Sequence, residues 1–286
     1  MFKVKHLDLF TDPHHTNQQI LNVYAIICTV FNMNMAAGLR YNVPINSPYK
    51  NRYRMSTMTL ELKEGVHVLT LTNNEKENTF TLDVLHEYLA AFEQVAAYKG
   101  NTSLLVTCED EKTFSNGINL NWFMGKSTQE EKDAFPDTID KVYVALATLN
   151  APTVICMNGN TYAGGAILAA CGDFRVMRAD RGRYCFPEVN INIPFRPKMH
   201  TVLELFHNQQ VIKEMTLLAA PKTGEQCLQA GLVDYLYPQE ELQDKAFELA
   251  KTLKSKNRKT YNTIKQGLRE KLFSYRDEFG LDNNAA

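Results

Sequence analysis

The 286-residue sequence predicts an α/β fold with a helical C-terminal part. Three observations carry that expectation. Short apolar or alternating stretches recur at residues 57–72, 103–108, 153–157 and 174–177. Stretches with helical spacing separate them. From Lys213 onward the chain reads mainly as helix, which suggests a lid or an oligomerisation element on an α/β core.

Taken in order, residues 57–72 alternate and are rich in Val, Leu and Thr, with Glu64-Gly65 as the turn of a hairpin. Residues 73–78 form a polar loop, and Thr81 is placed to cap a helix in which Leu82, Leu85, Leu89 and Phe92 recur at helical spacing. Residues 103–108 read as a strand, 109–119 as a polar loop containing Gly117, and 138–149 as a helix. Residues 153–157 read as a buried strand that runs at once into a glycine-bearing loop. Residues 166–171 suit a tightly packed helix, 174–177 a strand, and 260–272 a charged terminal helix.

Residues 1–54 read differently from the rest. They carry Lys3, Lys5, Arg40, Lys50, Arg52 and Arg54 against Asp8 and Asp12, and their most apolar run is Val23–Phe31. That run is well short of the roughly 20 residues that span a bilayer. Clean strand alternation begins only after Met55. The segment is read as an extension, dispensable or mis-assigned, with an organelle transit peptide as the alternative. The expected organisation is therefore an extension at 1–54, a core at 55–245 and a helical region at 246–286. The expected compartment is the cytoplasm, with mitochondrion or peroxisome as the alternative to it.

Composition narrows the function. A 44% hydrophobic and 22% charged chain is ordinary globular material, and 31 basic against 32 acidic residues leave no basic excess for nucleic acid. The six cysteines (Cys28, Cys108, Cys156, Cys171, Cys185 and Cys227) contain no C-x-x-C pair, which argues against a zinc ribbon or a thioredoxin-type site. Gly125-Lys126-Ser127 resembles the end of a phosphate loop, but Leu120 stands where the motif needs its first glycine. Neither a G-x-S-x-G elbow nor an H-E-x-x-H motif occurs, and no metal site is expected.

Three segments can carry chemistry: residues 112–120, residues 158–173 and residues 180–194. The second reads as a strand, a glycine loop and a helix start, where free N–H groups favour developing negative charge. Gly164 and Gly165 would let a ligand approach that backbone closely. The first segment is another strand-to-loop transition with a glycine. Two such loops can each aim one N–H at a common oxygen, which is an oxyanion hole, although spacing alone favours two tight turns. Glu188 follows a proline in an apolar setting, and taken alone it reads as a loop carboxylate pointing to water.

Together these residues resemble the crotonase, or enoyl-CoA hydratase/isomerase, superfamily over about residues 57–270. Phe114-Ser115-Asn116-Gly117 is similar to its F-[SA]-x-G loop, Asn158-Gly159 through Gly164-Gly165 to its N-G-x-x-x-G-G-G stretch, and Gln229–Asp234 to its G-L-V-D signature. Within the superfamily the likeness is greatest to the Δ3,Δ2-enoyl-CoA isomerases, on the Phe-Ser-Asn-Gly and Met177–Gly182 stretches. The resemblance implies a spiral of ββα units, with C-terminal helices that build a homotrimer or a dimer of trimers. It implies an acyl-CoA thioester substrate, with no cofactor beyond the coenzyme A that the substrate carries, and no nucleic-acid or membrane partner. It places the oxyanion-hole donors at the backbone N–H groups of Ile118 and Gly164, and Asn116, Gly117, Gly165 and Lys265 around the substrate, Lys265 near the CoA phosphates.

The same resemblance separates the reactions. Family hydratases carry two glutamates; here the first position is Ile167 and the second is Glu188. One carboxylate suffices for a double-bond shift from 3-enoyl-CoA to 2-enoyl-CoA. Dienoyl-CoA isomerases of the family add an aspartate where this chain has Arg196. The expectation is thus an enoyl-CoA isomerase with Glu188 as its catalytic residue. Hydratase or other thioester chemistry and a non-catalytic acyl-CoA binder are the alternatives. Four departures from the family pattern stand out: Asn119 for an aspartate, and Ala163, Asn192 and Ala220 for glycines.

Overall fold

The structure, a computed structural model, describes residues 52–281. The chain begins with strands β1 (Arg52–Arg54), β2 (Met58–Lys63) and β3 (Val66–Leu71), then helix α1 (Leu82–Ala97). Next come β4 (Ser103–Cys108), β5 (Thr113–Ser115), α2 (Leu120–Gly125) and α3 (Gln129–Ala147). The centre holds β6 (Thr153–Met157), β7 (Asn160–Tyr162), α4 (Gly164–Ala170), β8 (Phe174–Arg178) and β9 (Tyr184–Cys185). The remainder is α5 (Pro197–Leu203), α6 (Gln209–Leu217), α7 (Gly224–Gln229), β10 (Tyr235–Tyr237), α8 (Gln239–Lys254), α9 (Arg258–Leu268) and α10 (Glu270–Phe273).

Strands β1-β2-β3-β4-β6-β8-β10 form one sheet, antiparallel through β3 and parallel thereafter. The hairpin turns where expected: Glu64 and Gly65 have φ of 50° and 80°, the left-handed pair that a two-residue turn demands. Strands β5-β7-β9 form a second, parallel sheet. Each unit thus sends one strand to the large sheet and the next to the small one, then a helix. The small sheet differs from expectation: Thr113–Ser115 lies in the stretch read as a polar loop, Asn160–Tyr162 in the glycine-bearing loop and Tyr184–Cys185 in a stretch assigned no element. They are two or three residues long and partly polar, and only pairing with sequence-distant neighbours makes them strands.

Helix α3 begins nine residues before its expected start. Thr128 and Glu131 form a reciprocal capping box, and the helix runs through Pro136. The polar first turns and the proline hid its start. It packs Phe135, Ile139 and Tyr143 inward, all fully buried.

Two expected boundaries shift. Arg52–Arg54 pair with Glu61, Leu60 and Thr59 of β2, so these residues belong to the sheet rather than to an extension. Residues 1–51, on which the rest of the extension reading falls, lie outside the described residues. Nor does a boundary fall at 245/246. Helix α8 crosses it and lays Leu242, Ala246, Ala250 and Leu253 on Val66, Val68, Leu105, Val154, Cys156 and Val176 of the large sheet. Each large apolar side chain buried there contributes about 1.5–3 kcal/mol, and the two alanines let the helix approach closely.

The last helices are tied down by buried cations. Arg258 donates to the carbonyls of Val95, Ala96 and Tyr98 at the C-terminal end of α1, where a positive charge meets the negative helix end. Among the described residues no helix is long and apolar enough to cross a membrane.

Candidate active site

The small sheet positions the site. β5 and β7 are parallel neighbours, so the chain leaves both at the same end, one into Asn116–Asn119 and the other into Ala163 and α4. At the first exit, Phe80 makes an isolated bridge to Ile118. Its N–H donates to the Gly117 carbonyl at 2.7 Å, and its carbonyl accepts from Asn119 N–H at 2.9 Å. The flanking groups of Ile118 face Phe80, so the N–H of Ile118 itself points the other way. Ser115 Oγ donates to the Asn78 carbonyl at 2.8 Å and accepts from the Gly117 N–H at 3.1 Å, which fixes the preceding peptide.

At the second exit, Ala163 N–H donates to the Cys185 carbonyl at 3.1 Å and Ala163 turns with φ 51° and ψ −129°. Gly164 then opens α4, where its N–H has no intrahelical acceptor. Neither the Ile118 nor the Gly164 N–H has a hydrogen-bond partner among the described residues. The two loops touch: a β-carbon on Gly117 would lie 2.4 Å from the Gly164 nitrogen. Two unpartnered donors side by side can hold one oxyanion.

Glu188 opens a 3₁₀ turn after Pro187, closed by the Asn190 and Ile193 N–H groups onto the Pro187 and Glu188 carbonyls. Its residue exposure is 5%, and its Oε2 has no hydrogen-bond partner. Burial pushes the carboxyl up to about 8, against a smaller opposing pull from its own N–H. The other buried carboxylates described are paired. Asp140 accepts from Arg196 Nε at 2.8 Å, and Asp173 meets Lys265 and Arg269 at 2.9 and 3.1 Å.

Tyr143 braces the second loop. Its hydroxyl donates to the Gly164 carbonyl at 3.1 Å. Burial raises its phenol well above the ordinary value, so the hydroxyl stays a neutral donor. Burial likewise holds the Cys185 thiol at about 12, with Glu188 adding to it.

The expected site residues separate into two groups. Ile118, Gly164, Gly117 and Gly165 come together at the hole. Gly165 acts as a spacer, since a β-carbon there would stand 2.6 Å from the Ser115 carbonyl oxygen. Asn116 is tied back to Glu77, its N–H to the carbonyl at 3.2 Å and its Nδ2 to Oε2 at 3.0 Å. Lys265 corrects the expectation of a CoA-phosphate contact. It is 4% exposed and its ammonium donates to the Leu149 and Ala151 carbonyls, both at 3.0 Å, besides its bridge to Asp173. An ammonium so enclosed has no donor left for a phosphate.

Ile167 is buried on α4 and presents no acid. Asn119 keeps a capping role, accepting from Trp122 N–H at 2.9 Å and donating to Thr79 at 3.0 Å. Asn192 adopts the left-handed conformation that a glycine would take, with φ 57°. In the segment holding Ala220 the left-handed residue is its neighbour Ala219, with φ 49°. Phe80 and Tyr143 escaped sequence reading because each lies on an element remote in sequence from the loops it holds.

A family model described as enoyl-CoA hydratase/isomerase matches residues 61–282. Enoyl-CoA delta isomerase 3 of Arabidopsis thaliana is 30% identical over 179 residues, covering 62% of this chain and 75% of the relative. The 2,3-dehydroadipyl-CoA hydratase of Escherichia coli is 25% identical over 221 residues, covering 76% of this chain and 83% of the relative. Among solved structures, an enoyl-CoA hydratase/isomerase family protein from Pseudomonas syringae superposes with a TM-score of 0.70 at 24% identity, covering 78% of this chain and 94% of that one. With the matched model running through both loops of the hole and through Glu188, the chain belongs to the enoyl-CoA hydratase/isomerase family, with the crotonase fold.

Proposed function

We propose that the protein shifts the double bond of a 3-enoyl-CoA to give the 2-enoyl-CoA, with Glu188 as its single proton carrier. One observation carries the reading: Glu188 is buried with an unpartnered oxygen, while Ile167 occupies the position of the other glutamate of the hydratases. The Glu188 carboxylate takes a proton from C2. The electron pair moves into the conjugated thioester, whose oxygen becomes the oxyanion between the N–H groups of Ile118 and Gly164. Glu188 then delivers a proton to C4, and the double bond lies between C2 and C3. The cycle is redox-neutral and requires no cofactor.

Each hole donor lowers the barrier where charge develops; removing one such donor typically costs 10²–10³-fold in rate. A carboxyl held near 8 suits a group that must take a proton and return it. The hydratase relative supports the rival reading. Hydration needs a second group to manage the water, and the buried Ile167 cannot supply it.

The test is a product assay on trans-3-hexenoyl-CoA and trans-2-hexenoyl-CoA with wild type and Glu188→Gln. Conversion of the first to 2-enoyl-CoA without 3-hydroxyacyl-CoA, abolished in the variant, is the expected result. Hydration of the second substrate would refute it.

A further inference from the structure

The oxyanion hole is built from backbone, so its geometry depends on what holds two loops from different parts of the chain. Phe80 holds the first loop through its own peptide, with bonds of 2.7 and 2.9 Å on either side of Ile118. Its ring lies against the second: a β-carbon on Gly164 would stand 3.2 Å from Phe80 Cε2 and 2.9 Å from the Tyr143 hydroxyl. Both side chains are fully buried. The Tyr143 hydroxyl donates to the Gly164 carbonyl at 3.1 Å, fixing the peptide plane just beyond the donor nitrogen.

On the same face of α3, one turn earlier, Asp140 pairs with Arg196 at 2.8 Å, and Arg196 lies on the segment that follows Glu188. A single helical turn therefore grips the hole through Tyr143 and the base loop through Asp140. We infer that Tyr143 is a positioning residue of this reaction: its hydroxyl, with the Phe80 ring as a backstop, sets the aim of the Gly164 N–H at the thioester oxygen while α3 holds the Glu188 loop in register with it. This inference rests on the thioester reading above.

The variant is Tyr143→Phe, which keeps the ring and removes one hydrogen bond. On trans-3-hexenoyl-CoA it is expected to lower kcat about three- to tenfold, the worth of one neutral hydrogen bond, with KM changed less than twofold and the pH midpoint of kcat unmoved. A second readout needs no turnover: acetoacetyl-CoA, whose enolate is followed by its ultraviolet absorbance when bound. Wild type is expected to stabilise that enolate, and Tyr143→Phe to raise the pH at which it forms on the protein. An unchanged kcat together with an unchanged enolate midpoint in the folded variant overturns the role of Tyr143. A rise in KM alone overturns it too. A wild type that shifts no double bond yet enolises the probe defeats the isomerase reading, and the variant's enolate midpoint then decides the role of Tyr143. A wild type that does neither overturns both.

Discussion

The α-carbon of Gly117 sits so close to the amide nitrogen of Gly164 that a β-carbon there would be 2.4 Å away. The two loops of the hole are thus in van der Waals contact, and their donors stay neighbours only while residue 117 has no side chain. Its φ of 74° adds a second reason for glycine. Gly117→Ala is expected to cost about 1–3 kcal/mol in strain and to push the donors apart. A loss of more than 100-fold in kcat, with CoA binding retained, is the outcome to look for. Kinetics and isothermal titration with free CoA check it.

Protonation of Glu188 sets two pH dependences of opposite sense. In the proposed reaction Glu188 must be ionised to act, so kcat is expected to rise with pH and level off above about 8. Stability runs the other way. Below the ordinary glutamate value, folded and unfolded chains both carry the proton. Between that value and about 8 the unfolded chain ionises while the folded one does not, so folding stability falls. Above about 8 both are ionised and the deficit stays constant. Glu188→Gln lacks this loss. Its Tm advantage over wild type is expected to grow from about pH 5 to about pH 8 and then hold, which thermal melts across that range measure directly.

Lys265 and Asp173 form a buried lock between α9 and the strand that starts at Phe174. Burial alone would raise the Asp173 carboxyl, but Lys265, Arg269 and the Thr153 N–H outweigh it and hold the group below its ordinary range. Lys265→Met takes one of the two cations from Asp173, leaving Arg269 beside the Thr153 N–H and the Tyr261 hydroxyl, and strips the ammonium from the Leu149 and Ala151 carbonyls. Breaking such a pair typically costs about 3–5 kcal/mol. The expected variant is markedly less stable, with the KM for acyl-CoA unchanged in the fraction that folds. A CoA-phosphate role would instead raise KM.

How far the sequence reveals this molecule depends on whether the relevant signal is local. The hairpin at Glu64-Gly65, the Thr81 cap and the strands at 103–108 and 153–157 are legible because their causes lie within a few residues: a turn pair, a cap side chain, an apolar run. Thr113–Ser115, Asn160–Tyr162 and Tyr184–Cys185 are not, because strands of two or three residues exist only through partners that lie far along the chain on the neighbouring strand. The same division runs through the site. Ile118, Gly164 and Glu188 lie in or beside motifs, so the sequence itself singles them out. Lys265 is a lysine on a charged terminal helix, and nothing nearby in sequence tells that Asp173 waits beneath it. Tyr143 and Phe80 carry no motif, and their work shows only in contacts.

Asp140 tests the grip of α3 on the base loop. Burial lifts its carboxyl to about 6, and Arg196 restrains that rise. Its second oxygen, Oδ1, has no partner. Arg196→Met removes the restraint, so Asp140 takes up a proton at neutral pH or stays charged and destabilising. Stability is expected to fall by about 3–5 kcal/mol. Adding Asp140→Asn should restore much of that, since the stranded charge is gone. Denaturant unfolding of the two single variants and the double closes the cycle. Additive losses would show that the two residues act independently.

Ala163 occupies a backbone conformation that glycine takes more readily. Its φ of 51° with ψ of −129° is disfavoured for any residue with a β-carbon. That β-carbon also points toward the first loop, 3.1 Å from where one on Gly117 would stand. The strain there is worth about 1–3 kcal/mol, and a glycine would relieve it. Against this, glycine gives the unfolded chain more freedom, worth about 0.4–1 kcal/mol. The balance predicts that Ala163→Gly is more stable by about 1 kcal/mol in denaturant unfolding. The Cys185 carbonyl still receives the residue's N–H in the variant, and Tyr143 still holds the next carbonyl, so the aim of the Gly164 donor is kept and kcat is expected to stay within about threefold of wild type. A large fall in kcat with the gain in stability would mean that the strained alanine itself aims the donor.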